Sequence, residues 1–205
     1  MTGPSGTEGY ADEAETLVRQ YESIAFADVH RAVLALMPSP PADVVDIGAG
    51  TGRDAAGLAA LGYRVTAVEP TAALRRHAMA LHDSPDIAWV DDSLPELSVL
   101  SARGETYDIV MLTAVWMHLD HEQRQRAMLR VAALVRPDGV MMLSLRHGPV
   151  PAGRRMFEVS PSETIGLAQH HGLQCIQHLP SQDSLLRRPD VTWDRLAFAK
   201  RTLGR

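Results

Sequence analysis

Three glycines in five positions, Gly48-Ala49-Gly50-Thr51-Gly52, follow the apolar run Val44 to Ile47, and a second run, Val65 to Val68, ends in Glu69 about 20 residues past the loop. Glycines at such a turn let the backbone bend sharply and let a ligand touch the main chain, because no side chain intervenes. A carboxylate at that spacing, on the neighbouring strand, can accept hydrogen bonds from the two hydroxyls of a ribose. The expected ligand therefore carries an adenosine-like ribose. A dinucleotide fingerprint would place its third glycine at position 53, which is Arg53 here. That substitution weakens a nicotinamide or flavin reading.

The elements that must position these groups follow from periodicity. Short apolar runs predict strands at 44–48, 64–68, 87–90, 107–112, 139–145, 173–178 and 192–199, and helical spacing predicts helices at 52–61, 71–82, 93–102, 121–135 and 160–171. Thr71 is placed to cap one helix, Asp120 with Gln123 to form a capping box on another, and Ser160-Pro161 with Glu163 to do the same on a third. Arg136-Pro137-Asp138-Gly139 has the composition of a turn. Strands alternating with helices of this length imply a doubly wound, mostly parallel α/β sheet covered on both faces. A ligand in such a sheet sits beyond the carboxyl ends of the strands.

Ahead of this core, apolar residues at helical spacing between Ala11 and Met37 predict one or two helices, ended by Pro38, Pro40 and Pro41. Residues 1–10 are small and polar, which predicts no fixed conformation. No linker divides 11–205, so one domain is expected, with 11–37 as a helical cap on a core at 43–199. A chain of 205 residues with 45% apolar and 22% charged residues fits a globular protein with one core. The net charge of −5 argues against a nucleic-acid partner, and no apolar run is long enough for a membrane span. One cysteine, Cys175, and a polar start favour a cytoplasmic protein.

The glycines at 48, 50 and 52 preceded by Asp46 resemble the first motif of the class I S-adenosylmethionine-dependent methyltransferases, and the resemblance extends over about 43–199. It implies a Rossmann-like, seven-stranded sheet with an antiparallel last strand at 192–199 and an N-terminal helical lid. It also implies S-adenosylmethionine as cofactor and S-adenosylhomocysteine as product. Gly48, Ala49, Gly50, Gly52 and Arg53 would then line the methionine and ribose part, with Asp46 facing the amino group. Glu69 would hold the ribose, and Pro70 would stand at the mouth of the adenine pocket. In Asp91-Asp92-Ser93-Leu94-Pro95, either acid, or the serine beside them, would meet the adenine edge. Thr113-Ala114-Val115-Trp116-Met117-His118 would pass beside the sulfonium and end in a histidine.

A hydroxyl or protonated amine acceptor needs a base, and His118, at the rim past the fourth strand, is the candidate. Tyr21 in the lid, Trp116 and Phe157 offer aromatic surface for a substrate. Arg146 and His147, with Arg154 and Arg155, lie past the fifth strand where they could hold an anion. Segments 11–37, 146–159 and 180–191 are what remains to build a pocket, so a small-molecule acceptor is expected. Nine histidines form no metal motif, and the residues after the fourth strand lack the prolines of base-amino methyltransferases. The residues leave open a protein that holds the cofactor without turning it over, a nicotinamide-dependent reductase, and either a monomer or a homodimer.

Overall fold

The computed structural model describes residues 4–201. The seven runs form one sheet: β1 (Asp43–Ile47), β2 (Arg64–Val68), β3 (Ile87–Val90), β4 (Tyr107–Leu112), β5 (Val135–His147), β6 (Leu173–Asp183) and β7 (Thr192–Lys200). Their order is β3-β2-β1-β4-β5-β7-β6. β1 to β5 pair in parallel, whereas β7 runs antiparallel to both β5 and β6. The order reverses between β1 and β4, and this reversal opens a crevice at the carboxyl ends of those strands.

Burial on both faces explains why β1 and β4 read as continuous apolar runs rather than alternating ones. Val45, Ile47, Val110 and Leu112 pack with Met128 and Val131 of α6 (His121–Leu134). On the opposite face Val44, Ile109 and Met111 pack with Ala55 and Leu58 of α3 (Arg53–Ala60). Each fully buried leucine or isoleucine contributes about 1.5–3 kcal/mol, so these two layers fix where the ends of β1 and β4 stand. The remaining core helices are α4 (Ala72–Leu81), α5 (Ser98–Arg103) and α7 (Pro161–His170).

Local chemistry sets most boundaries. The capping box of Asp120 and Gln123 forms, and Ser160 accepts from the Glu163 N–H with Pro161 at the first turn. Two capping expectations are corrected. Thr71 makes no side-chain cap on α4; its N–H instead donates to Glu69 at 2.7 Å. The Glu163 carboxylate leaves the cap and accepts two hydrogen bonds from the buried Arg124, a stronger, charge-assisted pairing. α5 begins five residues later than its predicted start. Pro95 keeps Leu94 out of helical geometry, and Leu97 adopts φ 46°. Arg136–Gly139 is a bulge inside β5 rather than a turn before it, with the pairing jumping from Tyr107–Val135 to Ile109–Val140.

The N-terminal segment folds as α1 (Ala14–Tyr21), α2 (Phe26–His30) and a 3-10 turn at Leu34–Leu36. Helices this short do not hold their shape alone. α1 is fixed by Ala14 and Leu17 against Leu74 of α4, and α2 by a His30–Asp54 contact of 2.8 Å. Residues 4–10, for which composition predicts no fixed conformation, form turns; residues 1–3 lie outside the described ones. The cause is anchoring that composition does not reveal. The Tyr10 hydroxyl bonds His118, the Arg154 guanidinium sits 4.2 Å from the Tyr10 ring centre, and Arg155 bonds Ser5.

Candidate active site

β1 ends by delivering Asp46, Ile47 and the loop into the crevice, and the loop's N–H groups fold back on β2. Gly48 and Ala49 both donate to the Val68 carbonyl, at 2.8 and 2.9 Å. Gly48 has φ 75°, and a Cβ there would strike a Val115 methyl after β4, so glycine is required for two reasons. Glu69, 5% exposed at the end of β2, accepts from Gly50 N at 2.8 Å and from Thr71 N at 2.7 Å, one bond to each oxygen. Burial pushes the Glu69 carboxyl up, and the bonds from Thr71 and Gly50 work against that.

Asp46 is 1% exposed, lines the cleft, and its Oδ2 has no hydrogen-bond partner among the described residues. Burial first, then the charges of Asp54 and Glu69 against that of Arg53, hold its carboxyl well above the usual carboxylate range. Asp54 beside it behaves oppositely. Burial opposes its ionisation, yet His30 and Arg53, by charge and hydrogen bond, hold it below the ordinary range. The floor of this half is thus acidic, with one acid left unmatched. Such a floor repels a pyrophosphate and favours a cation.

Among the sequence candidates, Asp46, Gly48, Ala49, Gly50, Arg53, Glu69, Pro70, Asp92, Ser93, Thr113, Ala114, Tyr21, Arg146 and His118 all line this cleft. Five do not. Gly52 is the N-cap of α3, packed toward Trp89 and Ala78. Asp91 points to the surface and pairs with Arg75 at 2.6 Å. Trp116 is fully buried in the core, since the 3-10 turn that carries it directs its ring inward. His147 alternates with Arg146 along β5 and faces Asp194 instead, 3.6 Å away. Phe157 lies under Arg155, 4.7 Å from the guanidinium carbon. Asp92 is present but committed, accepting from Val99 N and Leu100 N at the start of α5.

Beyond β4 and β5 the cleft changes character. His118, 7% exposed, bonds the Arg155 carbonyl through Nδ1 at 2.8 Å, which makes Nδ1 the protonated nitrogen and leaves Nε2 to accept from the Tyr10 hydroxyl at 3.0 Å. Burial holds the imidazole below its ordinary value and the Tyr10 phenol above its own. The pair is therefore neutral near pH 7, with a proton on each partner. Arg154 and Arg155, expected as anion holders, are taken by Glu13 and Asp120. Arg188, Arg195, Trp193 and Met156 join the lining in their place. Tyr10 could not be found from spacing, as it stands alone in a polar stretch. Arg188 lay in a segment expected to contribute, 180–191, without a signal of its own. Among the described residues no group of three or more histidine, cysteine or acidic side chains is arranged to hold a metal.

The chain matches a family model described as a methyltransferase domain over residues 17–188. A search of curated proteins finds no significant match. Among solved structures, a TehB-like SAM-dependent methyltransferase from Corynebacterium glutamicum is 19% identical, with a TM-score of 0.69 over 93% of this chain and 99% of that one. A 1,6-didemethyltoxoflavin-N1-methyltransferase from Burkholderia thailandensis is 22% identical, with a TM-score of 0.64 over 92% and 87%. A magnesium protoporphyrin IX methyltransferase from Synechocystis is 16% identical, with a TM-score of 0.67 over 95% and 85%. Glycine loop, sheet order and antiparallel β7 agree with the family match, and the chain belongs to the methyltransferase-domain family.

Proposed function

We propose that the cleft binds S-adenosylmethionine and that the protein transfers its methyl group to a small molecule by in-line displacement. The observation that carries this reading is Asp46. A buried carboxylate oxygen without a partner calls for a ligand, and the ammonium of the cofactor's methionine part is a donor of matching charge. Glu69 uses one bond per oxygen on the backbone, so each oxygen keeps capacity for one ribose hydroxyl. Pro70, Ser93 and Leu94 line the adenine end, and the loop Gly48–Gly50 approaches the ligand with bare backbone. The bound sulfonium supplies an electrophilic methyl group; the protein's own part is positioning, exclusion of water and handling of one proton.

Proton handling falls to His118 with Tyr10. As an acceptor hydroxyl or ammonium loses its proton to the Tyr10 oxygen, the Tyr10 proton passes to His118 Nε2 along the existing 3.0 Å bond. The Arg155 carbonyl on Nδ1 keeps Nε2 the accepting nitrogen. Ser5, Gly6, Thr7 and Tyr10 line the cleft with this pair and limit the acceptor to what fits beside them. Two similar structures, by their names, methylate 1,6-didemethyltoxoflavin and magnesium protoporphyrin IX, both small molecules.

A thermal-shift series with S-adenosylmethionine, S-adenosylhomocysteine, NAD and NADP tests the reading. Selective stabilisation by the two sulfur nucleosides, weakened in Asp46→Asn, is expected. Stabilisation by NAD or NADP instead would refute it.

A further inference from the structure

The acceptor end of the cleft holds an arginine that the fold leaves without a counter-ion. Arg146 is 7% exposed; its Nη1 and Nη2 donate to the carbonyls of Gly148 and Pro149, and its Nε has no partner among the described residues. A guanidinium has five N–H groups, so two neutral carbonyls leave it unsatisfied, and no carboxylate among the described residues pairs with it. Burial works against its charge first, and the Arg188 guanidinium adds to that. Among the described residues Arg188 has only the neutral Gln20 side chain as partner, at 3.0 Å. Arg195, the third cation of this lining, is coupled by charge to Asp54 and Arg53 beside the glycine loop.

We propose, on the methyl-transfer reading above, that the acceptor is an aromatic or similarly apolar molecule bearing a carboxylate, held by Arg146 and Arg188. Burying a cation without a counter-charge is costly, and here the cost is met when an anion arrives. Trp193, Met117, Met156 and Leu186 supply apolar surface in the cleft that the two cations line. Flat rings pack well on Trp and Met surfaces. The Tyr21 hydroxyl, for which no protein partner is present among the described residues, is a further donor at this end. A carboxylate pairs with a guanidinium fork through two parallel bonds, and an amide of the same shape cannot supply that charge. The acceptor atom then lies toward Tyr10 and His118, on the other side of the ring from the carboxylate.

The test is calorimetric titration of salicylate, 3-phenylpropionate and indole-3-acetate, each beside its primary amide, with phenyl phosphate as a second anion. Each titration is run on the protein alone and on protein saturated with S-adenosylhomocysteine. At least one carboxylate is expected to bind the saturated protein at least tenfold more tightly than its amide, from the loss expected when a charge-assisted bond becomes neutral. Arg188→Gln and Arg146→Met should each remove that preference and leave S-adenosylhomocysteine affinity within twofold. Arg188 is half-buried on a loop, so it decides the question even where Arg146→Met fails to fold. Equal binding of every acid and amide, stronger binding of phenyl phosphate than of any carboxylate, displacement of the acid by S-adenosylhomocysteine, or a preference that survives Arg188→Gln would each overturn the proposal. Failure of S-adenosylhomocysteine to bind would strike the cofactor reading alone, since the titrations on free protein still compare acid with amide.

Discussion

The two flanks of the cleft carry opposite charge and keep it in different ways. On the β1–β3 flank the acids are tied to the chain itself: Glu69 to the N–H groups of Gly50 and Thr71, Asp92 to those of Val99 and Leu100, with Asp46 alone unmatched. On the β4–β7 flank the cations and phenols reach across from segments far apart in the chain, Tyr10 to His118, Arg188 to Gln20 and Arg154 to Glu13. A flank built on backbone geometry tolerates few residue types at each position. One built on long side chains from loops can change its ligand without disturbing the sheet.

The largest expected effect tests the rigid flank at its tightest point. Gly48→Ala places a Cβ against Val115 at a residue with φ 75°. Left-handed backbone and overpacking together should cost about 2–4 kcal/mol of stability, read as a lower urea midpoint with unchanged m-value, and should abolish S-adenosylhomocysteine binding. A variant that is as stable as the parent and still binds would mean the loop is softer than its geometry implies.

On the other flank, His118→Asn should lower kcat about 100-fold for hydroxyl acceptors, the low end for loss of a general base, with cofactor affinity unchanged. Tyr10→Phe should cost about the same, and the double variant no more than either one, because both act on a single proton path. Additive losses would separate them. Since burial depresses the imidazole's pKa, the acid limb of kcat/KM in the parent should fall below about pH 6.5, the ordinary histidine value.

The same contrast explains what could be read in advance. Gly48, Gly50 and Glu69 were legible because a bare turn and an acid on the next strand are demands of the backbone, which repeat at fixed spacing. β7 as the antiparallel strand followed from resemblance, and its pairing with β5 from Val140 to His147 agrees. Trp116 and His147 went the other way. One residue of phase in the 3-10 turn or along β5 decides between core and cleft, and spacing from a strand end does not resolve it. Tyr10 and Arg188 reach the site only through tertiary contacts, with no periodic pattern to mark them.

Two smaller effects sharpen the acidic flank. Glu69→Ala should weaken S-adenosylhomocysteine binding by about 2 kcal/mol, near thirtyfold, by calorimetry. Glu69→Gln should lose less, as one oxygen still accepts. Asp46 supplies the pH dependence. Its carboxyl is held protonated between about pH 4, the ordinary value, and its raised value, and an arriving ammonium ionises it. Binding then releases a proton, so affinity should rise with pH across that window, by at most about tenfold per unit. Asp46→Asn should flatten the rise, and a rise that persists in that variant would assign the proton to another group.

The smallest effect separates neighbours. Asp91 and Asp92 look alike in sequence, yet Asp91 pairs with Arg75 on the surface while Asp92 holds the first turn of α5. Asp91→Asn loses one exposed ion pair, worth about 0–1 kcal/mol, and should leave cofactor affinity within twofold. Asp92→Ala strips three N–H groups, those of Ser93, Val99 and Leu100, of their acceptor, should cost about 1 kcal/mol of stability as a lost cap does, and should loosen Ser93 and Leu94 at the adenine end. If Asp91→Asn weakened the cofactor and Asp92→Ala did not, the loop after β3 would have to bind its ligand in the register one residue earlier, and the committed backbone of this flank would be the wrong explanation for its selectivity.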